Sequence, residues 1–206
     1  MTIKTTEKWA LYDTQPAFVL GFHGCDQSVG ERILAGEDPH LIPSENDYDW
    51  LGHGIYFWEA NPQRALEFAH DAAKNGKVSK GKINNPFVLG AIINLGACLN
   101  LTNSASLHQV KVAYEVLDIL CTLIDDTVIP KNSGDLLRRK LDCAVFETLH
   151  QQREEGKLLP YRSVRGVFWE GEDLYPGAGF KEKNHLQLCV RDTSCILGYF
   201  RPIELS

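Results

Sequence analysis

The stretch "FVLGFHGCDQSVGERIL", residues 18–34, joins the end of a strand to the start of a helix. Residues 16–23 are rich in strand-forming side chains and end at His23, and the polar run after them is typical of a short helix closed by Gly36. Histidine followed by glycine at a strand tip presents an imidazole beside backbone that no side chain shields. This arrangement is typical of a binding site, which residues elsewhere in the chain would have to complete.

The elements that follow alternate between strands and helices. Asn61 is expected to cap a helix that begins at Pro62 and stops at Gly76. We expect strands at 54–59, 85–96, 164–171, 185–192 and 194–202, helices at 104–124 and 135–156, and loops at 37–54 and 172–184. This order predicts an α+β fold, with residues 1–206 forming one domain and a helical insertion at about 104–156.

The composition restricts the class of protein. The chain has 206 residues, 44% of them hydrophobic, which is enough for a full core. Its net charge of −6 gives no general attraction to nucleic acid. The six cysteines are widely spread and predict free thiols in a reducing compartment, with no metal site. Because neither a signal peptide nor an apolar run of ~18 residues is present, we expect a cytoplasmic protein with no membrane partner.

Three segments, taken together, resemble one known family. Residues 22–24 read "FHG", residues 50–69 read "WLGHGIYFWEANPQRALEFA", and residues 185–200 read "HLQLCVRDTSCILGYF". These motifs resemble the NAD-binding half and the closing strands of ADP-ribosyltransferases of the diphtheria-toxin and poly(ADP-ribose) polymerase type. The resemblance implies an ADP-ribosyltransferase-like fold, in which mainly antiparallel split β-sheets surround an NAD cleft.

The resemblance also assigns roles to four residues near the N-terminal end. His23 would hydrogen-bond a ribose hydroxyl, and the bare backbone of Gly24 would offer the nicotinamide amide one donor and one acceptor. Tyr56 would stack on nicotinamide, and Phe68 would form a second wall. Positive charge builds on the ribose carbon when the nicotinamide bond breaks, so the site must hold NAD bent, with its leaving group fixed. NAD is then a substrate, and no metal is implied.

The third catalytic position departs from the family pattern. Alignment on the closing strands places Gln187 where the family has a glutamate, and a glutamine carries no charge to stabilise the ribose cation. Glu182, or else Glu170 or Glu172, could supply the missing carboxylate from the preceding loop. Strand alternation divides the segment between two faces, a polar one and one that we expect to be buried: His185, Gln187 and Cys189 on the first, and Leu186, Leu188 and Val190 on the second.

Each residue also has an ordinary structural interpretation. His23 could be a satisfied structural histidine, Tyr56 and Phe68 could be core residues, and the Gln187 amide could be satisfied by backbone. A Cys25–His23 nucleophile is disfavoured, because no third group is placed to orient the imidazole. "YPGAGFKEK", residues 175–183, is not a phosphate loop, because no Gly-Lys-Ser/Thr opens a helix after it.

The resemblance implies mono-ADP-ribosyl transfer from NAD to a macromolecular acceptor, protein or nucleic acid, with release of nicotinamide. Loss of the glutamate makes chain elongation unexpected. Family analogy further suggests a microbial toxin or defence effector with a cognate antitoxin or regulator. Two other hypotheses stay open: a catalytically silent module of the same fold that binds NAD, ADP-ribose or a protein, and an unrelated hydrolase.

Overall fold

Within residues 18–75, 81–123, 128–135 and 137–203, the computed structural model contains seven strands. They are β1 (Val19–Asp26), β2 (Ile55–Glu59), β3 (Pro86–Ile93), β4 (Cys98–Asn100), β5 (Ser163–Phe168), β6 (His185–Val190) and β7 (Ile196–Phe200). The strands form one open sheet in the order β4-β5-β6-β2-β1-β3-β7. Neighbouring strands are antiparallel except for the parallel pair β4–β5.

Four α-helices accompany the sheet in the same described ranges. They are α1 (Gln27–Leu34), α2 (Pro62–Lys74), α3 (Ser104–Leu123) and α4 (Lys140–Glu155). The predicted α+β fold class is therefore confirmed. None of these helices has the length and apolar character needed to cross a bilayer.

Local chemistry sets the first two helices. The Asp26 carboxylate accepts from the backbone N–H of Ser28 and starts α1, and Gly36, at φ 74°, follows its last turn. Asn61 caps α2 by accepting from the backbone N–H of Arg64, with Pro62 at the first helical position, as predicted. Gly76, the predicted stop, lies outside the described residues.

Three predicted boundaries need correction. β1 continues past His23 to Asp26, because its ladder with β3 extends from Val19–Ile93 to Asp26–Pro86. The helix predicted from Asp135 begins at Lys140, because Asp135 accepts from the backbone N–H of Leu137 in a turn. The short strand β4 was not predicted, and it pairs with β5 at the edge of the sheet.

The two faces of the sheet carry separate cores. One core includes Phe57, Leu89 and Leu188 and is covered by Ile33 of α1 and Leu41 of the following loop. We call this side the α1 face. The other side is covered by α2, mainly over β1 and β3 and also against Trp58 of β2, and by α3 and α4 over β5 and β6, and we call it the α2/α4 face. The helical insertion therefore closes one half of one face of the sheet.

The ladder between β1 and β2, which we call the seam, is the shortest antiparallel ladder in the sheet. Its register comprises Gly21–Glu59 and Phe22–Trp58, whereas β1 pairs with β3 over eight residues. A longer ladder would bring His23 opposite Phe57 and then Gly24 opposite Tyr56. The two strands diverge at that point, which is where the sequence places its candidate site.

Candidate functional site

His23 bridges the diverging strands through its side chain. Its Nδ1 lies 2.7 Å from the backbone carbonyl oxygen of Tyr56. A carbonyl only accepts, so Nδ1 carries the proton and donates, which leaves Nε2 as the atom that could accept from a ligand hydroxyl. Burial lowers the pKa of His23, although the bond to Tyr56 opposes that shift, and the imidazole is neutral at pH 7.

Gly24 lies against helix α2. A side chain there would place its Cβ 2.1 Å from the carbonyl oxygen of Ala65, so no other residue fits without moving the helix. Close helix–strand packing is therefore sufficient to explain this glycine. The expected contact between its backbone and nicotinamide stays a prediction.

Tyr56 is held by its hydroxyl group as well as by its ring. The hydroxyl donates to the carbonyl of Gly52 at 2.6 Å and accepts from the backbone N–H of Leu51 at 2.8 Å. Burial raises the pKa of Tyr56 well above its usual value. The ring packs in the core beneath α4. Tyr56 thus fixes the loop before β2, and its ring is on the α2/α4 face.

Gln187 lies on the strand next to Tyr56 and on the same face. Cys189 pairs with Tyr56 and Gln187 pairs with Trp58, so the two side chains are diagonal neighbours across β2 and β6. His23 is on the other side, because its ring contacts Phe57 in the core of the α1 face. The structure therefore places the side chains of Tyr56 and Gln187 on one face of the sheet and that of His23 on the other, where its imidazole bonds to the Tyr56 backbone.

The expected burial of β6 needs correction. The face that carries His185, Gln187 and Cys189 is as buried as the opposite face, where Leu186 is only half-buried. The reason is that both faces of this strand are covered, one by the core of the α1 face and the other by α2 and α4. A polar side chain on β6 consequently needs a partner that the core does not supply.

Gln187 and three buried side chains near it have polar atoms without a hydrogen-bond partner in the described structure. Gln187 is adjacent to Trp58 across the strands, and Trp58 lies 6.3 Å from the His185 ring and 5.6 Å from the Arg64 guanidinium. Such atoms are uncommon in folded proteins, and several close together indicate a place where a ligand or ordered water binds. The atoms are Trp58 Nε1, Arg64 Nε and Nη1, His185 Nε2 and Gln187 Oε1. We call these four residues the polar cluster.

The polar cluster offers both hydrogen-bond donors and acceptors. His185 Nδ1 donates to the carbonyl of Lys183 at 2.8 Å. Burial lowers the pKa of His185, so its Nε2 is an unprotonated acceptor at pH 7, like Gln187 Oε1. Trp58 and Arg64 present N–H groups. A ligand that has both hydroxyl and anionic groups would match this set.

Glu170 is the loop glutamate that reaches the polar cluster. Both of its carboxylate oxygens accept from Arg64 Nη2, at 2.9 and 2.8 Å. Glu182 and Glu172 are exposed, and the Glu182 backbone N–H donates to the Glu172 carbonyl within the loop. The bridge between Asp173 and Lys181 folds that loop back on itself. The role expected for Glu182 stays a prediction, and its carboxylate is not among the contacts of the cluster.

Phe68 borders the same region from α2. Its ring lies 5.1 Å from the ring of Trp58, in the small core that also contains Phe22 and Ala65. The residue could therefore act as a wall of a site or as a core residue, as the sequence left open.

The buried thiols lack the properties of nucleophiles. Burial raises the pKa of Cys25 to about 12, and that of Cys98 to about 11, so both are protonated at pH 7. This agrees with the exclusion of a Cys25–His23 dyad. In the described ranges the structure contains no group of three or more His, Cys, Asp or Glu residues that could hold a metal ion.

An apolar groove of about 500 Å³ lies apart from these residues, between α3, α4 and β5. Leu107, Val110 and Phe146 line it, and neither Tyr56 nor Gln187 does. The groove adjoins the polar cluster at Trp50 and Phe168, whose rings lie 6.4 and 5.8 Å from the His185 ring.

Sequence reasoning missed Trp58 and Arg64 as site candidates, and it considered His185 only for its strand face. One signal was present: Trp58 is two residues after Tyr56 and therefore on the same face. A second was Arg64 in the first turn of a helix, where a cation is unfavourable without a local anion. The contact with Glu170 is between residues 106 positions apart and has no local sequence signal.

Comparison with known proteins gives one informative match. The chain is 24% identical over 192 residues to Uncharacterized protein MJ0359 of Methanocaldococcus jannaschii, and the match spans 85% of this chain and 83% of the archaeal protein. No family model matches the chain. No solved structure matches it significantly. This relative aligns with most of the chain, but it is uncharacterized and therefore indicates no activity.

Proposed function

We propose that this protein is an NAD-dependent mono-ADP-ribosyltransferase whose catalytic centre is the polar cluster and the adjoining seam between β1 and β2. The observation that carries the proposal is the Gln187 side chain, 8% exposed, with an Oε1 atom that no group in the described structure satisfies. An unpaired buried oxygen of this kind is unfavourable by about 1–3 kcal/mol. A ribose hydroxyl donating to it would remove that penalty.

The seam supports the same location. The resemblance implies split sheets around an NAD cleft, and β1 and β2 diverge directly after the Phe22–Trp58 pair. Gly24 and Tyr56 are the residues that a continued ladder would join. A dinucleotide bound there would have the Gly24 backbone on one side and the Gln187 side chain on the other, with the rings of Tyr56 and Phe68 nearby.

The proposed reaction breaks the bond between the nicotinamide nitrogen and the ribose carbon. Nicotinamide leaves with the bonding electron pair, a nucleophile of the acceptor forms a new bond to the same carbon, and the nucleophile loses its proton. Gln187 would hold a ribose hydroxyl on the α2/α4 face, and its amide supplies no charge, so slow transfer is expected. His23, neutral and on the α1 face, would act on that site through its bond to the Tyr56 backbone.

A silent binding module is the second candidate. Gln187 is uncharged, and the Glu170 carboxylate that could replace the family's glutamate is paired with Arg64. A site with this charge balance could hold NAD or ADP-ribose without transferring it. Turnover decides between the two candidates, because both require the same ligand to bind.

The experiment measures nicotinamide released from NAD by wild type, Gln187→Ala and Gln187→Glu, with cell extract as the source of acceptor. Transferase activity predicts release by wild type, a fall of at least ~10-fold in Gln187→Ala, and faster release in Gln187→Glu, because a carboxylate stabilises the ribose cation. Gln63→Ala, on the exposed side of α2, is the matched control and should behave like wild type. No release above the rate without protein, despite measurable NAD binding, would reject the transferase in favour of the module.

The same incubation, repeated with labelled NAD, identifies the class of the acceptor. We propose a macromolecular acceptor, and separate counting of protein and RNA assigns its class. Label that stays in small molecules would show hydrolysis instead of transfer.

A further inference from the structure

Arg64 is a buried cation in which the two nitrogens that carry three of its five N–H donors have no partner in the described structure. The residue is 6% exposed, and its Nη2 makes both bonds to Glu170. Its Nε and Nη1 are buried and have no partner in the described structure. Unpaired donors on a buried charged group are more unfavourable than those on a neutral group. The arrangement therefore indicates that more than one acceptor belongs beside this guanidinium.

Two immediate neighbours of Arg64, the Trp58 ring and the start of α2, add no conventional acceptor. The Trp58 ring lies 5.6 Å from the guanidinium carbon and compensates part of the charge, but it accepts no conventional hydrogen bond. Trp58 Nε1 is itself a buried donor without a partner. Arg64 is also the third residue of α2, a helix of 13 residues whose N-terminal end carries partial positive charge. Every one of these groups favours an anion.

Glu170 is the anion that the fold itself places there. Its backbone carbonyl accepts from the backbone N–H of Lys183, so it belongs to the base of the loop between β5 and β6. Its side chain is 21% exposed, compared with 8% for that of Arg64, and so it can swing outward more readily. A carboxylate has two oxygens, and both are used by a single nitrogen of Arg64.

We propose that Arg64 and Trp58 form a subsite for a phosphate group of a nucleotide, and that Glu170 is the internal anion which this phosphate displaces. Each phosphate of a dinucleotide presents two non-bridging acceptor oxygens, which can be shared among Arg64 Nε, Arg64 Nη1 and Trp58 Nε1. The subsite does not depend on transfer chemistry. A silent module that only holds ADP-ribose would use it in the same way.

The test is whether each of two substitutions weakens or strengthens ADP-ribose binding, measured by calorimetry. Arg64→Gln removes the cation that binds the phosphate. It should weaken binding by ~10- to 100-fold, the usual contribution of a charge-assisted hydrogen bond. Glu170→Gln removes the competing anion and should strengthen binding, by ~10-fold on the same basis. A purely structural ion pair predicts instead that both substitutions weaken binding, or that neither changes it, and either result overturns the proposal.

The chain supplies a matched control pair. Arg165 and Glu59 form a similarly shielded ion pair, with side chains 18% and 14% exposed, joined by Nε and Nη2 at 2.5 and 2.9 Å. Arg165→Gln and Glu59→Gln should lower the melting temperature without opposite effects on ADP-ribose affinity. If this pair gives the same opposite signs, the effect is one of general charge and the subsite is wrong.

Binding of inorganic pyrophosphate shows whether the subsite recognises a nucleotide or any diphosphate anion. The opposite signs should appear with ADP-ribose and, more weakly, with pyrophosphate. Their appearance with pyrophosphate alone would mean that the subsite does not serve a nucleotide. Melting temperatures of each variant with and without ADP-ribose give the same comparison if a substitution lowers stability, because a ligand stabilises in proportion to its affinity. Affinity is measured without turnover, so failure of the transferase proposal leaves this result intact.

Discussion

Tyr56 shows at the residue scale how one side chain can hold a loop and border a site. Removing its hydroxyl in Tyr56→Phe leaves the Leu51 N–H and the Gly52 carbonyl without the partner that they have now. We expect the free energy of unfolding to fall by about 1–3 kcal/mol, measured by chemical denaturation. Tyr175→Phe, at a residue 57% exposed, is the control. Equal stability of the two variants would show that the hydroxyl bonds contribute nothing.

The candidate site was predictable from the sequence only where strand alternation and family resemblance act together. Gln187 was identified as a polar side chain in a core strand, and the structure places it there, buried and next to Trp58. The choice among loop glutamates was not predictable. Glu182 is nearest to Gln187 in the sequence, but the fold brings Glu170 to the cluster through Arg64. Contacts between α2 and the distant loop depend on packing, which no local pattern encodes.

Helix α4 illustrates the element scale. It has no side-chain cap at Arg139, and Asn132 serves instead, because its Oδ1 accepts from the backbone N–H groups of Leu141 and Asp142. Asn132→Ala should lower the free energy of unfolding by about 1 kcal/mol, as loss of a helix cap usually does. Thermal or denaturant unfolding measures this change, with the exposed neighbour in Lys131→Ala as the comparison. A loss no larger than that of Lys131→Ala would contradict the capping role.

Element boundaries were predictable where capping is local and not where it is remote. Asn61 and Pro62 marked the start of α2 correctly, because a cap and its helix are adjacent in sequence. The start of α4 was wrong by five residues, because its cap comes from nine positions away. The end of β1 was also wrong. His23 directly follows the last residue that pairs with β2, but it lies in the middle of the ladder with β3. The sequence does not show on which side a strand stops pairing first.

Three shielded histidines make the stability of the whole molecule depend on pH. Burial lowers the pKa of His150 to about 3 and also lowers the pKa values of His23 and His185, so all three are neutral when folded. Unfolding lets them bind protons below about pH 6.5, so their contribution to stability is complete above that pH and is lost as pH falls. Each can remove up to about 1.4 kcal/mol per pH unit in that range.

We therefore expect the melting temperature to drop between pH 7.5 and pH 5.0, and the drop to be smaller in His150→Gln. The exposed histidine of α3 provides the comparison, since His108→Gln should leave the slope unchanged. A slope in His150→Gln equal to that of wild type would show that His150 is not shielded in the folded state. Scanning calorimetry in buffers of matched ionic strength measures all three proteins.

A crystal structure of the protein with ADP-ribose would show whether a nucleotide binds where the β1–β2 seam meets the polar cluster. We expect the ligand at that seam, with a hydroxyl within about 3.2 Å of Gln187 Oε1. This binding mode also places a phosphate against Arg64, with Glu170 turned away. Ordered water on Gln187 Oε1 and an intact Arg64–Glu170 pair, in crystals grown at saturating ADP-ribose, would contradict it.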